Sequence, residues 1–348
     1  MNTQSHPNVQ ALIEDAVLPQ GYAVRPAHPD DVSALTVLVN ACFMEEVSTA
    51  PQSDEMFLAD WGTPGFDRDT DTWVIHTLDG DIAAYGELWN VQEPHVHSFL
   101  WARVHPDHRD QGIGTYLLRR MEARAAEFIP LAPDDARIVT RTSAVKQAMP
   151  ARDLLANEGY EQVRVFYRMV IEMDAPPPAP VWPDGITVRT AERTDADFRA
   201  IHAADAAIFQ DHWGFLPVPY DRWLHWVENE PDFDPSLWFI AMDGDEIAAI
   251  SLCRPRMTED PGLGWIDDLG VLRPWRRQGL GLALLHHAFG VFWERGTRKV
   301  GLGVDAQSLT GATRLYEKAG MHVWRQSLSF EKELRPGIEL STQTLDEN

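Results

Sequence analysis

The sequence predicts an α/β chain of mixed α+β order, built as two tandem copies of one fold. Three observations carry that prediction. A loop pattern R-x-x-G-x-G occurs once in each half, the segments around it repeat in the same order, and a proline-rich stretch lies between the copies. Repetition at the length of a domain marks a duplicated domain.

Each half opens on a short strand pattern, residues 20–25 and 184–189, followed by acidic helix-start residues: Asp30 with Asp31, and Asp195 with Asp197. Residues 73–84 and 238–249 then match as two strands joined at an Asp-Gly turn, Asp79-Gly80 and Asp243-Gly244. Asp-Gly between alternating apolar runs is a strong hairpin signal. A further strand ends at Val104 or Val271 and enters the loop, which reads Arg109, Asp110, Gln111, Gly112, Ile113, Gly114 in one copy and Arg276, Arg277, Gln278, Gly279, Leu280, Gly281 in the other. A helix follows, since Ile113, Leu117, Met121, Ala125 and Phe128 recur at helical spacing, as do Leu280, Leu284, Ala288 and Val291. Strand, helix and strand patterns complete each copy.

A strand, a turn with two glycines and a helix together make a nest of outward-pointing N–H groups at the positive end of a helix dipole. Such a nest binds phosphate. The glycines permit φ > 0 and close approach to the main chain, and Arg109 or Arg276 adds charge suited to a pyrophosphate. Neither copy ends in the Lys-Ser/Thr of a Walker loop, and Leu117 and Leu284 stand where a third glycine would complete G-x-G-x-x-G.

Residues 174–185 hold five prolines, which favour extended chain, so the expected division is a domain over 19–173, this linker, and a domain over 186–334. The ends, to about Leu18 and from about Arg335, read as peripheral, with a short helix possible around residues 9–17. A chain of 348 residues that is 44% hydrophobic has room for two ordinary cores. Two cysteines, Cys42 and Cys253, exclude a disulfide framework, and no spanning apolar run or signal-peptide pattern appears, so a cytoplasmic protein is expected. A net charge of −23 disfavours nucleic acid and anionic membrane as partners. No metal is expected: His95 with His97 and His286 with His287 lack an ordered third ligand.

The element order, the two loops and the segment Leu315-Tyr316-Glu-Lys-Ala-Gly320-Met321 resemble the Gcn5-related N-acetyltransferase (GNAT) superfamily, and the layout is similar to bacterial tandem GNAT proteins of the mycothiol synthase type. The resemblance covers nearly all of the chain outside the termini and linker. It implies two acyl-CoA N-acyltransferase folds, each a mixed, mostly antiparallel sheet flanked by helices, with acetyl-CoA as co-substrate. Its pyrophosphate is expected on residues 276–281, its pantetheine along Leu269, Gly270 and Val271, and a further hydrogen bond at Ser308, where the family more often has asparagine. In the first copy, Val104 and residues 109–114 are the matching cofactor positions.

The same resemblance makes Tyr316 the expected general acid for the leaving thiolate; the alternative is a core tyrosine packing helix on strand. A phenol suits the acid role because its pKa lies near or above that of a thiol. Asp267 is the first candidate base, four residues before Val271, and Asp268 the second, with hydrogen bonding to a loop as the structural alternative. The first copy has Leu155 in place of the tyrosine, and Leu100 and Trp101 in place of the two acids. It is therefore expected to keep CoA binding without efficient chemistry. Asp211, His212 and Trp213 fall where GNAT folds line the acceptor pocket; helix capping and aromatic packing are the alternatives. The acceptor is expected to be a small-molecule or peptide amine, and the protein a monomer or homodimer; the alternatives are a non-catalytic acyl-CoA-binding sensor or scaffold, or an acyltransferase with a different acyl donor or a hydroxyl acceptor.

Overall fold

The computed structural model describes residues 13–50, 52–230, 232–257, 260–308 and 311–343. Of the short helix expected at 9–17, residues 13–15 are helical and residues 9–12 lie outside the described residues. The chain forms two compact units, Met1–Arg164 with Ser327–Leu340, and Val165–Gln326 with Ser341–Asn348.

Unit 1 contains β1 (Tyr22–Arg25), α1 (Val32–Val47), α2 (Asp54–Trp61), one-turn α3 (Arg68–Asp71), β2 (Thr72–Thr77), β3 (Ile82–Trp89), β4 (His97–Val104), α4 (Ile113–Glu127), β5 (Ile138–Val145) and α5 (Met149–Asn157). Unit 2 contains β7 (Ile186–Thr190), α6 (Asp195–Phe209), α7 (Tyr220–Asn229), β8 (Trp238–Asp243), β9 (Glu246–Arg254), β10 (Leu263–Val271), α8 (Leu280–Glu294), β11 (Lys299–Asp305) and α9 (Ala312–Lys318). Two long strands, β6 (Glu161–Glu172) and β12 (His322–Arg335), carry the chain from one unit into the other.

Both expected hairpins form, β2 with β3 and β8 with β9, each antiparallel around a glycine at positive φ, Gly80 or Gly244. In each unit the sheet is antiparallel except for one parallel pair, β4 with β5 and β10 with β11. The last strand of each sheet is exchanged. Residues 327–335 of β12 pair with β5 in unit 1, while residues 166–172 of β6 pair with β11 in unit 2. The expected split at 174–185 thus differs from the observed one, and that proline-rich segment lies inside unit 2. Strand patterning states that a strand exists but not which edge it joins, since both final strands mix charged and apolar residues along their length.

The helix starts repeat between units. Arg25 grips Asp31 and Arg189 grips Asp197, each through two hydrogen bonds, at the entry to α1 and α6. In unit 2 the sheet has a core on each face. One holds Leu284, Ala288, Phe289 and Phe292 of α8 with Tyr316, and the other holds Ile201, Ala204 and Ile208 of α6 with Ile250 and Leu252. Each such large side chain contributes roughly 1.5–3 kcal/mol of burial free energy. That anchoring holds the site-bearing strand between two helices.

Candidate active site

Strand β10 is where the two cores meet the functional residues. It pairs with β11 only from Leu263 opposite Lys299 to Ile266 opposite Leu302, whereas its pairing with β9 continues to Val271 opposite Ala249. Residues 267–271 therefore keep one hydrogen-bonded neighbour and leave the β11-facing edge of the main chain open. That edge suits an amide-bearing arm such as pantetheine, because unpaired backbone groups seek partners. The opening begins at a β-bulge: Ile266 pairs with Cys253 and Asp268 with Leu252, leaving Asp267 as the extra residue. Strict alternation puts Asp267 and Asp268 on opposite faces; the bulge interrupts that alternation at this pair.

The two aspartates have different surroundings. Asp267 is held by the Arg254 guanidinium at 2.7 and 2.9 Å, with its side chain about a third exposed (32%). Burial raises its proton affinity and Arg254 offsets part of that rise. Asp268 lies opposite Leu252, a member of the α6-side core, and burial pushes its carboxyl well above the ordinary range, reinforced by the negative charges of Asp205 and Asp267 and opposed by Arg254. Tyr316 sits in the α8-side core at 6% exposure, its phenol pushed up to about 12 by burial and by the charge of Asp268. A protonated phenol and a half-buried carboxyl thus flank the open edge of β10 from its two faces.

Gly270 shows how closely α6 approaches. A Cβ at that position would collide with Ile208. Only glycine there lets the helix lie on the open stretch of strand.

The loop after β10 is shaped as expected, with two revisions. Positive φ falls on Gly279 (89°) and on Arg277 (66°), matched by Gly112 (82°) and Asp110 (59°) in unit 1. Gly279 and Gly112 are the N-caps of α8 and α4, and neither helix start has a side-chain cap, which leaves first-turn N–H groups of the kind that bind anions without a capping side chain. The second glycines instead make room for a neighbouring helix: a Cβ on Gly281 would lie 3.1 Å from Leu315, and one on Gly114 2.9 Å from Leu154. The loop arginines face their own loop. Arg276 donates from Nε to the Val271 carbonyl at 3.0 Å and pairs with Asp211 at 2.9 Å; Arg109 does the same with Val104 at 3.5 Å and with Glu45 at 2.6 Å. Gln278 donates to the Pro274 carbonyl, and the Ser308 amide donates to Asp305.

Asp211 therefore lies under the loop, buried between Arg276 and Arg273, and the Arg273 guanidinium, followed by Arg276, holds its carboxyl below the usual range. Its two cations are already in place, which leaves it unsuited to an ammonium. His212 packs edge-on against Phe209, and burial lowers its proton affinity. Trp213 donates to Gln343 and tilts against Phe166.

In unit 1, β4 likewise leaves β5 early, pairing only at His97, Ser98 and Phe99, but its pairing with β3 runs without a bulge. A cavity of about 420 Å³ opens there between residues 100–104 and 142–144, bounded by Gly112, Gly114, Leu154 and Leu155. Where unit 2 has Asp267, Asp268 and Tyr316, this cleft has Leu100, Trp101 and Leu155. One buried carboxyl does occupy the α1 face, Glu87, cross-strand from Trp101 and pushed up to about 7 by burial. Both of its oxygens accept hydrogen bonds, from Tyr85 and Trp89.

Asp205 of α6 is the residue the sequence reasoning missed. Its signal was present, a lone acid between Ile201 and Ile208 on an apolar helical stripe. Among the described residues no group of three or more His, Cys, Asp or Glu side chains is placed to hold a metal, and no helix is long and apolar enough to cross a membrane.

Comparison with known proteins agrees with this geometry. The acetyltransferase (GNAT) family model matches residues 32–136 and 199–321. A mycothiol acetyltransferase of Salinispora arenicola is 30% identical over 268 residues, covering 74% of this chain and 80% of that protein. The crystal structure of a GCN5-related N-acetyltransferase from Sphaerobacter thermophilus superposes with a TM-score of 0.80 at 37% identity, covering 94% of this chain and all of that one. A tandem GNAT protein from the clavulanic acid biosynthesis pathway, at 14% identity and a TM-score of 0.68 over 91% of this chain and all of that one, shares the fold. The two loops, the two open-edged strands and these likenesses together place the chain in the GNAT acetyltransferase family, as a tandem member.

Proposed function

We propose that the protein transfers the acetyl group of acetyl-CoA to a primary amine by direct attack, with the chemistry in unit 2 and a CoA-binding but inactive cleft in unit 1. The observation that carries the reading is the open edge of β10 with Asp268 on one side and Tyr316 on the other. The pyrophosphate rests on the N–H groups of the Gly279 turn and α8, and the pantetheine arm adds to the free edge at residues 269–271. Main-chain donors on that edge also stabilise the thioester oxygen as negative charge develops.

The acceptor arrives as an ammonium and gives one proton to Asp268. Asp267, clamped by Arg254, is the less suited base. The neutral amine attacks the thioester carbonyl, the C–S bond breaks as the intermediate collapses, and Tyr316 protonates the thiolate, recovering its proton from the nitrogen through solvent. A phenol raised to about 12 is a reluctant donor at rest. Protonation of Asp268 by the incoming amine removes one of the charges that raise it, so the acid strengthens once substrate is in place.

Asp211 serves this site by fixing the loop arginines, and a cytoplasmic setting fits the use of acetyl-CoA. The relatives named mycothiol acetyltransferases make the deacetylated form of mycothiol the first acceptor to test. The assay is CoA release across a panel of primary amines that includes it, with mass spectrometry of the product. A product heavier by one acetyl group is expected from the wild type and not from Tyr316→Phe at comparable rate. Equal rates in the two proteins would remove Tyr316 as the acid, and absence of thiol release with every amine would favour a CoA-binding sensor.

A further inference from the structure

Resting on the transfer reading above, we infer that Asp205 of α6 and Asp268 of β10 form one proton-sharing carboxyl pair, and that this pair is the receiving site for the acceptor's ammonium group.

Placement comes first. Ile208 lies against Gly270, and Asp205 and Asp268 flank that contact on the same surfaces: three residues back along the helix and two back along the strand. Ile208 of α6 and Leu252, the cross-strand neighbour of Asp268, belong to one core cluster, so both carboxyls are directed into the same interface. The Oδ1 of Asp205 is buried and has no hydrogen-bond partner. An unpartnered buried carboxylate oxygen is costly unless something completes it.

The charges facing the pair are Asp267 on β10, Arg254 on β9 and the neutral phenol of Tyr316 on α9, and Arg254 is bound to Asp267. Burial pushes Asp205 up to about 7, and its charge helps raise Asp268. Two carboxyls so placed ionise one at a time, so the pair keeps one proton and carries a single negative charge once the first has ionised, around the 7 of Asp205. That charge attracts one ammonium. On proton transfer the N–H bond breaks and an O–H bond forms, leaving two neutral acids and a neutral amine beside the thioester. A hydroxyl acceptor brings no cation and no such proton.

The internal repeat supplies an independent check. Aligning α1 with α6 on their matched Arg–Asp pairs, Arg25–Asp31 and Arg189–Asp197, also superposes the loop clamps Glu45–Arg109 and Asp211–Arg276. In that alignment Val39, fully buried, takes the place of Asp205, and Trp101 takes the place of Asp268. The unit without the acid has lost both members of the pair.

The experiment titrates the aspartate carboxyl carbons of the full-length protein by NMR with 13C-labelled aspartate, which needs no turnover. In Asp205→Asn the Asp268 midpoint is expected to fall by at least about one pH unit, a tenfold change in proton affinity, and in Asp268→Asn the Asp205 midpoint is expected to fall likewise. Should one variant fail to fold, the other reads the same coupling from the opposite side; midpoints that ignore the substitution overturn the pair. With acetyl-CoA present, ethylammonium is expected to shift both carboxyl signals and ethanol to leave them in place. Equal responses to the two probes overturn the ammonium site. With an amine that turns over, Asp205→Asn is expected to move the acidic limb of kcat/KM to lower pH and raise KM for the amine but not for acetyl-CoA, while Asp205→Glu restores the limb. A loss uniform across pH and unrelieved by Asp205→Glu marks a structural role and overturns the assignment. Failure of all amines to turn over, with coupled midpoints and an ammonium-specific shift, removes the transfer reading and supports the pair.

Discussion

Units 1 and 2 share strand order, loop conformation, an arginine clamp under the loop and a parallel strand pair that parts early, yet they differ at the positions that face the opening. Unit 2 has Asp205, Asp268 and Tyr316 there, and unit 1 has Val39, Trp101 and Leu155. The bulge that frees Asp267 in β10 is also missing from β4. On the proposed function, binding and chemistry are therefore separable in this architecture. The loop and the open strand edge proposed to hold the cofactor depend on backbone geometry that survives almost any side chain, whereas the proposed proton transfer depends on three or four side chains that single substitutions remove.

The comparison breaks most visibly at the acid. Tyr316→Phe should lower kcat by roughly 10²–10⁴-fold with little change in KM for acetyl-CoA, as read by steady-state CoA release; a change below threefold would leave the two units chemically alike. Asp268→Asn should lower kcat/KM for the amine by about 100-fold and flatten the acidic limb of its pH profile. Gly270→Ala should destabilise unit 2 by about 1–3 kcal/mol, because the new Cβ meets Ile208, and Ile208→Ala should restore much of that loss. Denaturant unfolding of the three proteins measures both effects.

A smaller effect concerns pH and stability. The folded state raises the proton affinities of Asp205 and Asp268, so the stability they contribute is fully present below the unfolded pKa near 3.8 and is lost as pH rises through about 7 for Asp205. Asp205→Asn should consequently stabilise the protein at pH 8 by roughly 1–3 kcal/mol and by less at pH 5, as followed by urea denaturation. A gain equal at both pH values would mean that Asp205 does not titrate. The smallest effect on turnover is expected from unit 1: Gly112→Val should reduce CoA stoichiometry in calorimetry from two to one while leaving kcat unchanged within about twofold.

Much of this was legible in the sequence because it is local. The hairpins announced themselves through Asp-Gly turns, the loops through their glycines, and α4 and α8 through their periodicity. What was not legible depended on partners distant in the chain. Asp211 looked available to a ligand until Arg273 and Arg276 were seen to hold it. The bulge at Asp267 left no mark in the strand pattern, and with it went the simple two-face reading of the acid pair. A lone acid on the apolar stripe of α6 marks Asp205 as unusual but names no partner; its meaning appears only with Ile208 against Gly270.

The exchanged strands bear on how the protein is made. Synthesis delivers β1 through α5 first, but β5 has no partner on its outer edge until residues 327–335 of β12 arrive, while the strand that follows α5 goes to unit 2. Unit 2 can thus close its sheet as soon as β11 leaves the ribosome, and unit 1, though translated earlier, closes last. During that interval an apolar sheet edge is open to pairing with other chains, the circumstance in which nascent proteins aggregate or recruit chaperones. A chain stopped at the proline-rich segment would keep that edge permanently, so unit 1 depends for its completion on the full synthesis of unit 2.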